Sequence, residues 1–154
     1  FEIPSAKLDA VFQAAVAESR ARTLANIPQP ENESFHIAYV NNQVWSSYNW
    51  YKGNAYSLIE VNTDFPMFIA RAIDLASHEA YPGHHVFNLL IEQDLVQQKR
   101  WMEYAVYPLY SPASFLAEGS ANYGIEVAFP RAERLQFEKE VLFPLAGFSL
   151  TMLA

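Results

Sequence analysis

The pattern of apolar and polar positions predicts a mainly helical chain with a small β element. From residue 5 to 26, apolar residues recur at intervals typical of an amphipathic helix, with charged residues between them. Residues 35–40 and 55–61 are predicted as short strands, and Lys52-Gly53-Asn54 predicts the turn before the second. Residues 44–51 are rich in aromatic side chains and stay ambiguous.

The second half of the chain is predicted to be helical apart from one loop. Asn62-Thr63-Asp64 offers a cap for the first of these helices, and Pro66 is tolerable in its first turn. The predicted helices span residues 65–78, 86–95, 114–127 and 131–141. A proline-punctuated aromatic loop is expected over 104–113. Because no repeat or domain boundary is visible, we expect one α+β domain over residues 1–154.

Composition excludes several classes of protein. The chain has 154 residues, of which 51% are hydrophobic and 18% charged, so a disordered chain is not expected. Its net charge of −7 leaves no basic stripe for phosphates, which argues against nucleic acid and anionic lipid as partners. Without cysteine, any metal must be held by His, Asp or Glu.

The ends of the sequence predict a segment of a longer protein. The chain begins at Phe1 rather than methionine and stops inside the apolar run 141–154. That run is too short for a membrane helix and contains Pro144, so this segment is not expected to insert into a membrane. We expect the apolar end to contact the remainder of the chain or a partner.

One octapeptide, His78-Glu79-Ala80-Tyr81-Pro82-Gly83-His84-His85, carries the candidate chemistry. Together with the isolated Glu118 downstream, it offers two imidazoles and a carboxylate. This is the ligand set of a catalytic zinc with an open fourth position. Glu79 directly follows the first histidine, where helical zinc peptidases keep their general base. The motif therefore predicts a metal-dependent hydrolase that acts on a peptide or another amide.

The spacing of the histidines leaves two candidates for the second ligand. In the usual helical motif it lies four residues after the first, but here that position is Pro82. Pro82-Gly83 predicts a bulge or kink, and a bulge that absorbs two residues would bring His84 beside His78. In a regular helix His85 would share the face instead, roughly 10 Å along the axis. We favour His84.

Glu118 lies between small and apolar residues, with no charged neighbour along the chain. Burying it unpaired would cost several kcal/mol, so we expect it to bind a cation or take up a proton. The alternative is an exposed glutamate on a small-residue helix that another helix can approach closely. Asp74 and Asn122 are candidates for orienting the ligands, whereas Tyr123 is a candidate donor to an oxyanion.

The two motifs together resemble a bacterial family that is catalogued as a domain of unknown function and regarded as related to gluzincin metallopeptidases. Its pattern is His-Glu-Ala-Tyr-Pro-Gly-His-His followed by Glu-Gly-Trp-Ala-Leu-Tyr. Residues 78–85 match throughout, and in the second motif Ser120 and Asn122 replace Trp and Leu. The similar region spans about 37–127. Because members are often described as secreted proteins or lipoproteins, the resemblance implies a gluzincin-like helical core in the periplasm or cell envelope.

The working hypothesis is a zinc metallopeptidase. The resemblance implies His78, one histidine of the Pro-Gly-His-His segment and Glu118 as zinc ligands and Glu79 as the base. With the bulge favoured above, the hypothesis takes His84 as the second ligand. His85 or Tyr123 would stabilise the oxyanion, and the strand 57–61 would pair with an extended peptide. A first alternative is a non-haem Fe(II) oxidative enzyme, which uses the same ligand types. A second is a metal-binding or scaffold module without catalysis.

Overall fold

A computed structural model describes residues 1–149 and shows a mainly helical fold with one small sheet. After a 3₁₀ turn at Ser5–Lys7, α1 covers Leu8–Leu24. The strands are β1 (Ser34–Val40), β2 (Ser47–Gly53) and β3 (Tyr56–Asn62). The following helices are α2 (Ile69–Leu75), α3 (His84–Leu90), α4 (Pro112–Ala128), α5 (Arg131–Phe137) and α6 (Phe143–Ala146). The predicted α+β class is therefore confirmed.

Three of the helices change into wider π-helical turns at their carboxyl ends. These turns cover Ala76–Ala80 after α2, Ile91–Gln98 after α3 and Glu138–Leu142 after α5. A short 3₁₀ turn at Met102–Ala105 interrupts the loop that leads to α4. None of the helices within residues 1–149 has the length and apolarity needed to cross a membrane.

The sheet has the order β1-β3-β2, with β1 parallel and β2 antiparallel to the central β3. Residues 47–53, most of which the sequence left ambiguous, form an edge strand. The prediction that residues 57–61 could pair with a peptide is wrong, because β3 already has a neighbour on each side. The turn predicted at 52–54 lies slightly later, at Asn54 and Ala55, and Gly53 at the end of β2 takes the positive φ of 81° that favours glycine there.

The core lies between the sheet and the helices that follow it. Ile59 and Val61 of β3 are fully buried in one apolar cluster with Val11 and Phe12 of α1 and residues of α2. This burial of branched and aromatic side chains is the main source of stability. It fixes the end of α2, and therefore the first histidine of the motif, relative to the sheet.

The predicted cap at Asn62-Thr63-Asp64 is not used by α2. The helix begins only at Ile69, and its N-cap residue Phe68 makes no side-chain capping bond. Asp64 instead accepts hydrogen bonds from the backbone N–H of Asn42 at 2.5 Å and from the side chain of Asn41 at 3.1 Å. Asp64, which follows β3, therefore holds the loop between β1 and β2 in place.

Candidate metal centre

The octapeptide changes direction between α2 and α3, and this change brings the two histidines together. In the π-helical turn the N–H of Tyr81 donates to the carbonyl of Ala76, five residues earlier, at 3.2 Å. The N–H of Gly83 then donates to the carbonyl of Ser77, six residues earlier, at 2.9 Å. An α-helix would close these bonds over four residues. The chain thus absorbs two extra residues, as the spacing predicts.

Gly83 is required by the close approach of two backbone segments. A Cβ at this position would lie 1.8 Å from the carbonyl oxygen of His78 and 2.4 Å from that of Ser77. Real Cβ atoms do not approach backbone oxygens so closely. Any side chain at Gly83 would therefore push His78 away from the start of α3, which carries His84.

α4 brings the third residue of the site close to the octapeptide. The buried residues of this helix are all small: Ala117, Ala121, Gly124 and Ala128. A Cβ on Gly124 would lie 2.9 Å from Cγ of Pro82, so a larger residue would force the helix outward. The prediction that small residues around Glu118 allow close helix approach is consistent with this packing.

Two imidazole nitrogens and two carboxylate oxygens converge in the resulting triad. His84 Nε2 lies 3.1 Å from His78 Nε2. Glu118 Oε2 lies 3.3 Å from His78 Nε2, and its Oε1 lies 3.2 Å from His84 Nε2. An ion held tetrahedrally with bonds of about 2.0–2.1 Å keeps its ligand atoms roughly 3.3 Å apart. His78, His84 and Glu118 therefore form a group that could hold a metal ion.

The proton positions at the triad also suit a cation. His78 Nδ1 lies 3.2 Å from the side-chain oxygen of Asn122, which can only accept a hydrogen bond. When Nδ1 donates its proton to Asn122, the lone pair of Nε2 is left facing the triad. Burial, and then the neighbouring His78, lower the pKa of His84 to about 4. His84 is consequently neutral at pH 7, the form that binds metal.

The expectation that Glu118 would be buried is wrong. Its side chain is 54% exposed on the rim of the site, while the histidine side chains are 17% and 11% exposed. Such exposure removes the desolvation cost that would by itself require a cation. Glu118 is a candidate ligand because of its distances to the two histidines.

The triad forms one wall of a cavity of about 390 Å³, here called the triad cavity. Strand β2 supplies a second wall through residues 47–51, and Tyr107 and Leu109 also line the cavity. Glu79 lines it too, although only 5% of this residue is exposed. Ser47 donates a hydrogen bond of 2.6 Å to Glu79 Oε1, which fixes the carboxylate from the side of the strand.

The surroundings of Glu79 favour its protonated form. Burial is the largest influence and raises the pKa of the carboxyl group, and the nearby Glu118 acts in the same direction. The hydrogen bond from Ser47 and the neighbouring His78 act against this rise without cancelling it. A carboxylate whose pKa is raised towards neutrality is suited to accept a proton and give it back.

His85 does not line the triad cavity, and its side chain is fully buried. Its Nε2 lies 3.0 Å from Glu33 Oε1, and its Nδ1 lies 2.7 Å from the hydroxyl of Ser57. Both ring nitrogens are therefore engaged, and the structure does not support the predicted role of His85 at an oxyanion or as the second ligand. His85 therefore has a structural role through its contacts with Glu33 and Ser57.

Glu33 is the centre of the buried cluster that holds His85. Its side chain is only 1% exposed, and a guanidinium nitrogen of Arg20 lies 2.8 Å from Oε2. The hydroxyl of Tyr81 also donates to Oε1. Burial by itself raises the pKa of Glu33, but the hydrogen bonds from His85 and Arg20 outweigh it and the pKa is lowered. A charged Glu33 thus fixes two residues of the octapeptide from a loop that precedes β1.

Two other predicted site residues lie elsewhere. Tyr123 is 72% exposed and does not line the triad cavity. Asp74 pairs with a guanidinium nitrogen of Arg134 at 2.7 Å, so it is not the partner of His78. Asn122, the other residue predicted to orient a ligand, is the partner of His78 Nδ1 instead.

Tyr48 is a candidate residue that the sequence pattern did not single out. It lines the triad cavity from β2. Burial raises the pKa of its hydroxyl, and Tyr107, Glu79 and Glu118 add to the rise. The hydroxyl therefore keeps its proton at neutral pH and can donate a hydrogen bond. The aromatic richness of residues 44–51 was the visible signal, but only the strand pairing shows that Tyr48 lies at the cavity.

Comparisons with known proteins give no relative: no family model, curated protein or solved structure matches this chain. The resemblance to gluzincin-related proteins thus rests on the two motifs. Function is therefore inferred from the geometry of the site.

Proposed function

We propose that this chain is the catalytic core of a zinc-dependent hydrolase, most specifically a metallopeptidase. The observation that carries the proposal is the convergence of His78, His84 and Glu118 beside the buried carboxylate of Glu79 in one cavity. The three residues leave a tetrahedral ion one open position, as catalytic zinc sites do. Bound zinc would supply a Lewis acid that polarises the scissile carbonyl and lowers the pKa of water to about 7.

Glu79 is the general base of the proposed reaction. It accepts a proton from the attacking water, and it returns this proton to the leaving amine. The hydrogen bond from Ser47 occupies Oε1 and holds the carboxyl plane still while the proton moves. Its raised pKa brings the carboxyl closer to the neutral range, where both transfers are feasible.

Tyr48 replaces His85 and Tyr123 as the proposed donor to the oxyanion. Tyr48 lines the triad cavity and keeps its hydroxyl proton, whereas His85 has no free ring nitrogen and Tyr123 is outside the cavity. Such donors stabilise the charge that develops on the carbonyl oxygen in the transition state.

Strand β2 is the proposed site for the substrate backbone. It is an edge strand of the sheet that residues 1–149 form, and its residues 47–51 line the triad cavity. An extended peptide adds readily to an exposed strand edge through backbone hydrogen bonds. The scissile bond of such a peptide would lie along the wall that faces the triad.

The Glu79→Gln variant tests this mechanism. We expect it to keep one zinc per chain while its peptidase activity falls at least about a hundredfold, because the amide cannot take up the proton. Glu126→Gln, at an exposed glutamate of α4, is the matched control and should keep full activity. Full activity of Glu79→Gln would reject the mechanism. Iron as the bound metal, with oxidative rather than hydrolytic turnover, would favour the Fe(II) alternative.

A further inference from the structure

A second, larger cavity borders the triad cavity, and here it is called the apolar cavity. Its volume is about 650 Å³, within the range of small-molecule sites. Tyr51, Asn88 and Tyr107 line both cavities. A molecule at the triad can therefore extend into the apolar cavity across this shared wall.

The lining of the second cavity is mainly hydrophobic. Apolar side chains come from three parts of the chain: α3 and its π-helical extension, the loop before α4, and α4 itself. They include Phe87, Ile91, Val96, Val106 and Leu116. Two histidines, two glutamates and several residues with hydroxyl groups line the triad cavity, which is therefore more polar than the apolar cavity. The two neighbouring cavities thus differ in the chemistry that they offer to a ligand.

The charged residues at the apolar cavity are engaged in contacts within the chain. Glu92 accepts hydrogen bonds from the hydroxyl of Tyr51 and from the backbone N–H groups of Asn54 and Ala55. The Lys52 ammonium lies 5.3 Å from the ring centre of Trp50. A ligand with a charged group would have to compete with these contacts, whereas an apolar group would not.

We propose that the apolar cavity binds a large hydrophobic side chain of the substrate, next to the bond that is hydrolysed. This inference rests on the proposed peptidase function and adds a substrate class to it, namely peptides with Phe, Leu or a similar residue beside the scissile bond. Burial of such a side chain removes apolar surface from water and favours binding. Ala buries much less apolar surface than Phe or Leu, and Asp or Lys brings a charge into apolar surroundings.

Peptides that vary at one position test the proposal directly. Phe, Leu, Ala, Asp and Lys are placed in turn at each of the two positions that flank the scissile bond, and kcat/KM is measured. At one of the two positions we expect Phe and Leu to exceed Ala by about tenfold to a hundredfold. Equal values for Phe and Ala at both positions would overturn the proposal.

Val106→Asp links the preference to the cavity. Val106 lines the cavity but is 69% exposed, so a charge there should not unfold the chain. We expect the ratio of Phe to Ala to fall by about tenfold. Val44→Asp makes the same change at a valine that is 94% exposed and lines neither cavity, and its ratio should equal that of the wild type. An unchanged ratio in Val106→Asp would contradict the assignment.

A binding measurement separates this proposal from the proposed function. NMR titration of the zinc-loaded Glu79→Gln variant compares N-acetylphenylalaninamide with N-acetylalaninamide. We expect the phenylalanine derivative to bind more tightly, and we expect this difference to disappear when Val106→Asp is added to the variant. That result supports the cavity assignment even if no peptide is hydrolysed. In that case only the proposed peptidase function would fail. Peptide hydrolysis without this difference in binding would leave the peptidase function in place and reject the assignment.

Discussion

The Nε2 atoms of His78 and His84 lie 3.1 Å apart although the two residues are six positions apart in the sequence. A π-helical turn and the hydrogen bond from Gly83 N–H to the Ser77 carbonyl bring them to this distance. The local backbone path, more than the residue types alone, therefore makes the site. Single substitutions can test the contacts on which that path and its chemistry depend.

Gly83→Ala should disrupt the metal site. The added methyl group would overlap the His78 carbonyl, so the two histidines must separate or the segment must unfold. We expect the free energy of unfolding to fall by roughly 1–3 kcal/mol and zinc affinity to fall with it. Urea denaturation and a zinc titration measure both quantities. Gly119→Ala is the control, because a Cβ there has no neighbour within 4 Å and alanine favours a helix by up to about 1 kcal/mol.

Asn122→Ala should weaken metal binding without removing a ligand. Asn122 accepts the hydrogen bond from His78 Nδ1 and so directs Nε2 towards the triad. Loss of such a partner typically lowers metal affinity about 10–100-fold. Competition with a chelator of known affinity measures the change. Asn122→Asp keeps an acceptor and should restore binding; equal zinc affinity of wild type and Asn122→Ala would show that the contact is irrelevant to the site.

Tyr48→Phe should lower kcat about a hundredfold or more, as loss of one oxyanion donor does, and leave zinc content unchanged. Tyr123→Phe is the matched control, because this tyrosine is 72% exposed and lies outside the triad cavity. Steady-state kinetics of both variants decides between the two tyrosines. A loss in Tyr123→Phe with none in Tyr48→Phe would restore the assignment made from the sequence.

Glu33→Gln should destabilise the fold most strongly at neutral pH. The folded-state pKa of Glu33 is lowered, so its charge stabilises the fold above its unfolded value of roughly 4.3 and this contribution is lost as pH falls through the folded-state pKa. Because Arg20 is 43% exposed, the expected cost is that of weakening the hydrogen bonds of one buried carboxylate, about 1–3 kcal/mol. Urea denaturation should show that the difference in the free energy of unfolding between wild type and Glu33→Gln is larger at pH 7 than at acid pH. Glu31→Gln, exposed in the same loop, should show little change.

The sequence was sufficient for the fold class and for the candidate metal-ligand set. Helical periodicity and the turn near Gly53 are local signals. Proline stands at position 82, where the usual helical motif has its second histidine, and this indicated a bulge that absorbs two residues. These features depend on residues close together in the chain. Local patterns alone could therefore favour His84 over His85.

The remaining features depend on contacts between distant parts of the chain. The sheet order that makes β2 the edge strand arises from the pairing of β1 with β3, which skips the strand between them. The role of His85 depends on Glu33, which lies 52 positions earlier in a loop that looked merely polar. The spacing of apolar and polar residues does not predict which distant residues will contact each other. Tyr48 was missed as a candidate oxyanion donor for the same reason, since it reaches the cavity only through the sheet.

His78, His84 and Glu118 are proposed to hold one metal ion. The zinc content of wild type, His84→Ala and His36→Ala after equilibrium dialysis against dilute zinc tests this claim. His36 is exposed on β1 and is not one of the triad residues, so its variant controls for loss of any histidine. We expect one zinc per chain in wild type and His36→Ala and none in His84→Ala. Folded wild type without zinc, or His84→Ala with a full equivalent, would contradict the claim.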